Sequence, residues 1–253
     1  MVLKDYKVTG KKGNFLQQRA NKSFITNFEI LNYRARVESA ESKSVKEIIE
    51  QISAVKNQKY KAILSLTALL GKRISEICIL QKKDISINPI DYVIKFHTIT
   101  EKWREKRDKI IPISRENQLE LLDLLKFFAE YYEKLPLDKL SDDTYIFGDP
   151  CFVERKRTWQ KYDKTQNKYV TVEKTYKDNL MRQRVYVAAM RDGGFNAHLL
   201  RHWRASYIGH AKKEQYIGKD RLILIKSLLD FKKIESAERY LRNMTQSEMQ
   251  EVF

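Results

Sequence analysis

The residues with the clearest chemical potential lie in one stretch, HLLRHWRASYIGH, residues 198–210. It holds three of the four histidines of the chain, together with Arg201 and Arg204. In a helix, His198 lies one turn from both Arg201 and His202, so these side chains share a face. A neutral imidazole accepts a proton near pH 7, and a guanidinium binds two phosphate oxygens at once. The pair predicts phosphate chemistry, and unreactive packing of the histidines in a helix is the simpler alternative.

A metal site is the third interpretation of these histidines. The H-E-x-x-H motif of zinc hydrolases needs a glutamate after the first histidine, and Leu199 stands there. The other histidines, His97 and His210, lack the spacing of a further ligand. The two cysteines, Cys78 and Cys151, are too far apart in the sequence to suggest a zinc motif. We therefore expect neither a metal nor a cofactor.

The composition points to a polyanionic partner. The chain has 253 residues with 49 Lys and Arg against 33 Asp and Glu, a formal net charge of +16. Such an excess attracts nucleic acid. Two segments, 102–109 and 154–168, concentrate the positive charge and interleave it with aromatic side chains. The basic side chains expected to contact nucleic acid are Arg104, Lys106, Arg107, Lys109, Arg155, Lys156, Arg157 and Arg204.

Hydrophobic periodicity predicts a succession of helices around these residues. A capping box at Ser44 and Glu47 starts the first helix, and Gly71 is expected to end the second. Helices are predicted at 45–55, 60–70, 73–80, 116–134 and 179–194, and near 197–211, 219–229 and 234–243.

Two segments rich in β-branched residues, 91–100 and 108–113, predict a β-hairpin whose basic tip is residues 101–107. Residues 149–177 are the hardest to interpret, and a second basic hairpin is one reading. The predicted fold class is α+β and mostly helical, with a small antiparallel β-hairpin sheet. Residues 1–40 are predicted to form a basic arm or linker before a single domain, residues 41–253.

The N-terminus and the cysteines bear on location. Residues 1–15 lack the apolar segment of a signal peptide, and the two cysteines suggest no disulfide framework. We therefore expect a reducing, cytoplasmic setting.

Three motifs together resemble one protein family. Residues 71–77, GKRISEI, are similar to a G-x-R-x-S-E-L motif, and residues 198–202, HLLRH, to an H-x-L-R-H motif. Residues 228–231, LLDF, are similar to an L-L-G-H motif, and Tyr240 follows at the expected separation of nine residues. In this order, over about residues 60–245, the motifs resemble the catalytic domain of the tyrosine recombinases, the phage-integrase family of DNA strand-transfer enzymes.

The resemblance implies a catalytic role for five residues. Tyr240 would attack a DNA phosphate and form a 3′-phosphotyrosyl intermediate. Arg73 and Arg201 would neutralise the charge of the transition state, and His198 would act as the base. Lys102, from the predicted hairpin, would protonate the departing 5′ oxygen.

The resemblance also implies supporting residues and shows one departure. Glu76 and His202 would support the arginine and the base, and Lys106 is the reserve candidate for the general acid. Phe231 stands where the family usually has His or Trp, and phenylalanine cannot hydrogen-bond to a phosphate. The loss of one such donor costs roughly 10²–10³ in rate, by analogy with an oxyanion donor.

The resemblance implies double-stranded DNA as the partner, bound by a homo-tetramer that holds two duplexes. The C-terminal tail, residues 243–253, would dock on a neighbouring protomer, and packing within its own protomer is the alternative. A topoisomerase of the type IB kind shares this chemistry, and a DNA-binding relative without catalysis is the alternative of another class. A metal-dependent nuclease is the least favoured reading.

Overall fold

The computed structural model describes residues 43–88, 93–99, 106–112, 119–163, 165–211, 219–230 and 234. These residues contain seven α-helices and two antiparallel sheets. The helices are α1 Val45–Ser53, α2 Gln58–Leu70, α3 Ile74–Cys78, α4 Leu119–Tyr132, α5 Leu180–Gly193, α6 Leu199–Ala211 and α7 Lys219–Leu228. The strands are β1 Ile85–Asn88, β2 Val93–Ile99, β3 Lys106–Pro112, β4 Phe152–Asp163 and β5 Lys168–Asn179. The predicted α+β, mostly helical class is confirmed.

The helix ends follow the predicted signals. Glu47 N donates to Ser44 Oγ at 3.2 Å, and Ser44 N donates to Glu47 Oε2 at 2.8 Å, which confirms the capping box. Helix α2 ends at Gly71, whose φ of 62° places it in the left-handed region that glycine tolerates. Helix α5 ends in the same way at Gly194, with a φ of 67°.

Helix α2 is the centre of the core. Every residue from Ala62 to Leu70 is buried, as expected for a helix that is apolar nearly all round. It packs against both α4 and α6, while α7 packs against α6. Because α2 lies beside α6, residues that follow its C-terminus are brought close to the histidine-rich segment.

The first sheet differs from the predicted hairpin by one strand. Its order is β1-β2-β3, so the four-residue strand β1, too short to show a clear alternation, adds to the edge of β2. Strands β2 and β3 form the predicted hairpin, although Lys106 and Arg107 begin β3 rather than belonging to the tip. In the register, Lys109 lies opposite Phe96, which is completely buried. Since opposite residues of an antiparallel pair share a face, Lys109 points towards the interior.

Strands β4 and β5 form a separate two-stranded ribbon, which confirms the second basic hairpin. The register runs without interruption from the pair Phe152 and Asn179 to the pair Asp163 and Lys168. Most of its side chains are exposed, so it projects from the helical core instead of joining the first sheet.

Other predictions fall outside the described residues. These are the arm at 1–40, most of the hairpin tip and the last helix beyond Ile234. All the residues described above belong to one compact unit, residues 40–253. No helix in the ranges given is long and apolar enough to cross a membrane.

Candidate active site

Arg201 connects three segments of the fold. It lies on α6 and is buried, and its Nη1 donates to the carbonyl oxygen of Gly71 at 2.8 Å. Its Nη2 donates to the carbonyl oxygen of Leu229 at 2.6 Å. The guanidinium therefore ties the C-terminus of α2, helix α6 and the turn after α7 to one another. A guanidinium held at two of its donors has a fixed plane and direction.

Arg73 lies directly before α3 and is held by Glu76. The backbone N of Arg73 donates to Glu76 Oε2 at 3.2 Å, and Arg73 Nη1 lies 3.0 Å from Glu76 Oε1. The Arg73 side chain is 37% exposed, whereas that of Glu76 is 1% exposed. The buried carboxylate of Glu76 therefore holds the Arg73 side chain in place. The rest of the guanidinium is exposed and can contact a ligand.

His198 lies directly before α6 and stays accessible to solvent. Its backbone N donates to Asn196 Oδ1 at 3.0 Å. Desolvation by surrounding protein atoms lowers the pKa of His198, and the positive charges of Arg201 and Arg73 lower it further. Two arginines that are far apart in the sequence thus act on one imidazole, which is kept neutral and able to accept a proton.

His202 packs behind His198. The two rings meet edge to face, with centroids 5.4 Å apart. Burial, followed by the influence of His198 and Arg201, lowers the pKa of His202 to about 4. This ring is therefore neutral at physiological pH and contacts His198 without adding charge.

A group of three charged side chains that the sequence analysis did not connect lies beside Arg201. Lys109 Nζ is 3.0 Å from Asp230 Oδ1 and 3.3 Å from the carbonyl oxygen of Ser227. Asp230 Oδ2 also binds Nζ of Lys72. The side chains of Lys72, Lys109 and Asp230 are 0%, 11% and 10% exposed. We call these three residues the Asp230 cluster.

Burial and the mutual charges of the Asp230 cluster shift the pKa values of Lys109 and Asp230. Burial lowers the pKa of Lys109, the charge of Asp230 offsets part of this, and the charges of Lys72 and Arg201 lower the pKa further. For Asp230, burial raises the pKa, but Lys72 and Lys109 outweigh burial and hold it below its ordinary value. Lys109 is therefore a buried ammonium that releases its proton more readily than an exposed lysine does.

Several predicted site residues cannot be placed in this geometry. Lys102, Arg104, Phe231 and Tyr240 lie outside the described residues, and their roles stay predictions. Lys106 and Arg107 have a described backbone in β3, but their side chains are not described.

The remaining predicted DNA contacts are of two kinds. Arg155, Lys156 and Arg157 are exposed on β4. Arg204 lies on α6 and stacks over the ring of Tyr207 at 5.3 Å. Its Nη1 is buried without a hydrogen-bond partner among the described atoms, and burial lowers its pKa to about 10. The Arg204 side chain is half-buried, and its role as a DNA contact stays a prediction.

In the part of the chain that the structure describes, no group of three or more His, Cys, Asp or Glu could hold a metal ion. Burial raises the pKa of the Cys78 thiol to about 12, so this cysteine is protonated and poorly nucleophilic.

The comparisons with known proteins gave structural matches alone. No family model and no curated protein matches the chain. XerH site-specific recombinase bound to difH substrate is similar over 83% of this chain and 51% of its own, with 13% identity and a TM-score of 0.47. A lambda integrase dimer bound to a COC′ core site is similar over 81% of this chain and 60% of its own, with 13% identity and a TM-score of 0.47. The FLP recombinase-Holliday junction complex is similar over 88% of this chain and 52% of its own, with 14% identity and a TM-score of 0.48.

These matched proteins are tyrosine recombinases, and the chain spans between 51% and 60% of their length.

Proposed function

We propose that the chain contains the catalytic domain of a tyrosine recombinase, which cuts and rejoins duplex DNA through a covalent 3′-phosphotyrosyl intermediate without a metal. One observation carries the proposal: Arg73 and Arg201 both act electrostatically on the accessible, neutral His198. A base within the electrostatic influence of two guanidinium groups suits phosphoryl transfer to or from an alcohol.

The electrostatics suit a phosphate group. Arg201 is fixed by two backbone carbonyls and Arg73 by a buried carboxylate, so both guanidinium groups are oriented before any ligand binds. Cationic donors that need no reorganisation stabilise the extra negative charge of a phosphorane transition state. Guanidinium and ammonium groups supply this charge, so the proposed reaction has no step that needs a metal.

The proposed cleavage step balances as a single displacement. The phenol oxygen of Tyr240 forms a bond to phosphorus while the bond from phosphorus to the 5′ oxygen breaks. The phenol proton passes to His198, because a phenol with a pKa of about 10 attacks poorly until it loses that proton. The 5′ oxygen takes a proton from a lysine, and the reverse of these transfers rejoins the strand. The roles of Tyr240 and of the lysine rest on the resemblance of the sequence motifs.

Three lysines are candidates for the role of general acid. The resemblance favours Lys102, with Lys106 in reserve. The site geometry favours Lys109, because it is buried beside Arg201 and its pKa is lowered. A lysine near the scissile phosphate with a lowered pKa transfers a proton more readily to a leaving alkoxide.

The partners follow from the same proposal. Duplex DNA is the proposed substrate, and a homo-tetramer on two duplexes, with exchange of the tail 243–253, is the proposed assembly. The observation that favours a non-catalytic DNA-binding relative is Asp230, because a carboxylate within the cationic cluster offsets part of the charge that a phosphate would meet.

Covalent trapping tests the proposed function. The protein is incubated in EDTA with a nicked duplex from which the cleaved fragment is lost, and adducts are resolved on a denaturing gel. We expect a DNA–protein adduct that disappears in Tyr240→Phe. Cleavage that EDTA abolishes and that leaves no adduct would indicate a nuclease, and binding without reaction would indicate the non-catalytic relative. A tetramer on two duplexes, measured by sedimentation, separates a recombinase from a monomeric topoisomerase.

A further inference from the structure

The ribbon of β4 and β5 has two chemically different faces. In an antiparallel pair, directly opposite residues point to the same side, and the side alternates along each strand. The face that carries the odd-numbered residues of β4 has five basic side chains. They are Arg155, Arg157, Lys161, Lys168 and Lys174. We call this side the basic face.

The basic face has two acidic residues, one at each end, and both bind neighbouring groups of the protein. Asp178 binds Arg155 Nε at 3.2 Å and Arg182 Nη2 at 2.6 Å at the base of the ribbon. Asp163 accepts a hydrogen bond from the backbone N of Thr165 at 2.9 Å in the turn. In the described part of the chain, the other four basic residues of this face make no ion pair. The five basic residues outnumber the two acids Asp163 and Asp178, so the face keeps a net positive charge.

The opposite face is electrically balanced. It carries Lys156 and Lys177 together with Glu154 and Glu173, so its charges cancel. Lys156 Nζ lies 3.0 Å from Glu173 Oε1, and Lys177 is directly opposite Glu154. This opposite side is called the neutral face. The sequence analysis grouped Lys156 with its neighbours on β4, but the register puts Lys156 on the other side of the ribbon.

The dimensions of the ribbon match those of duplex DNA. Each strand has 12 residues, which at roughly 3.3 Å per residue gives a length of about 40 Å. One turn of B-DNA is about 34 Å long, and its major groove is wide enough for a two-stranded β-ribbon. The exposed Trp159 lies on the basic face between two of its cations and adds a contact surface for sugars or bases.

We propose that the basic face of the ribbon is a second DNA-binding surface, separate from the cleavage site, which lies along the phosphates of the major groove beside that site. The choice of duplex DNA as the occupant rests on the proposed function. The choice of the basic face over the neutral face rests on the strand register and on the balance of charges alone.

Two double variants that remove the same charge test this surface. Arg157→Gln with Lys174→Gln removes a directly opposed pair from the basic face. Lys156→Gln with Lys177→Gln removes two positive charges from the neutral face and is the matched control. All four residues are exposed, so both variants should keep the thermal unfolding temperature of the parent protein.

Binding to a duplex of about 60 base pairs is measured over a range of salt concentrations. Each phosphate contact contributes roughly −0.9 to the slope of log K against log salt concentration. We expect the basic-face variant to bind at least about tenfold more weakly near 0.15 M salt. Its slope should become less steep by about 2, because two phosphate contacts are lost. The neutral-face variant should change the slope by less than about 0.5. Equal effects of the two variants, or no effect of the first, would overturn the proposal.

A covalent-adduct assay on a short duplex distinguishes failure of this proposal from failure of the proposed function. The basic-face variant should still form the adduct on a duplex too short to reach the ribbon. If the parent protein forms no adduct but the salt slopes differ as expected, the proposed function fails and the DNA surface stands. Tighter binding of an RNA duplex of the same sequence, or self-association that the basic-face variant abolishes, would overturn the assignment of the surface to DNA.

Discussion

Lys109 and Asp230 form an ion pair, with Nζ 3.0 Å from Oδ1, that joins strand β3 to the turn after helix α7. The second carboxylate oxygen of Asp230 binds Lys72, which is completely buried just past the C-terminus of α2. One carboxylate therefore serves two ammonium groups close to Arg201, and the cluster keeps an excess positive charge. That excess is suited to a bound phosphate. When no phosphate is bound, the charge of Asp230 offsets the cost of burying the two lysines.

Asp230→Asn should destabilise the protein strongly. The change leaves Lys72 and Lys109 buried without their counter-charge, and the removal of one partner of a buried ion pair costs about 3–5 kcal/mol. We expect the free energy of unfolding, measured by urea titration, to fall by about 3 kcal/mol or more. Asp143→Asn is the control, because Asp143 pairs with Lys83 at the surface and its side chain is 76% exposed. That change should cost less than about 1 kcal/mol, and equal losses for the two variants would contradict the buried network.

The identity of the general acid can be read from a change of leaving group. Lys109→Met should slow adduct formation on ordinary DNA by roughly 10²–10⁴. The rate should recover when sulfur replaces the scissile 5′ oxygen, because a thiolate leaves without being protonated. Lys102→Met is tested in parallel, and Arg73→Ala serves as a control that sulfur should not rescue. Rescue of Lys102→Met but not of Lys109→Met would return the role to Lys102.

The position of Lys109 illustrates what sequence reasoning could not supply. The alternation of β2 and β3 predicted the hairpin but not its register, and the opposition of Lys109 to Phe96 is what turns this lysine inwards. Asp230 stands where the L-L-G-H motif has glycine, a second departure that the sequence analysis did not use. Its importance depends on a fold that brings the turn after α7 beside β3, and no local pattern encodes that contact.

Local signals were sufficient elsewhere. The capping box of α1 and the glycine after α2 are read from neighbouring residues, and the structure shows both. Buried polar contacts were harder to predict from the sequence. Arg204, for example, has the same local sequence pattern as an exposed basic residue of a helix. The tertiary packing of α6 stacks its guanidinium on the ring of Tyr207 and buries its Nη1 atom.

His202 should make the protein sensitive to acid. Its pKa is about 4 in the folded protein against 6.5 for an unperturbed histidine, so the unfolded state binds a proton first as the pH falls. Its contribution to stability is therefore complete above about pH 6.5 and is lost as the pH falls towards 4, by up to about 3 kcal/mol. His202→Leu should reduce the fall in unfolding free energy between pH 7 and 4 by that amount. A nuclear magnetic resonance titration of the His202 ring with a midpoint near 6.5 would contradict this prediction.

Gly71→Ala should damage both stability and the candidate site. Gly71 has a φ of 62°, and a Cβ there would lie 2.0 Å from Leu229 Cδ2. The change therefore combines backbone strain of about 1–2 kcal/mol with overpacking of about 1–3 kcal/mol. Leu229 would have to move, and its carbonyl oxygen accepts from Arg201 Nη2, so adduct formation should slow as well.

Gly194→Ala separates the backbone strain of Gly71→Ala from its overpacking. Gly194 has a nearly equal φ of 67°, but a Cβ there would meet no atom within 4 Å. This variant should show the strain alone, with an unfolding free energy lowered by about 1–2 kcal/mol and an unchanged rate of adduct formation. If the two alanine variants lose the same stability and the same activity, the close approach of Gly71 to Leu229 does not position Arg201. A larger loss for Gly71→Ala in both measurements links the end of α2 to the site through that single contact.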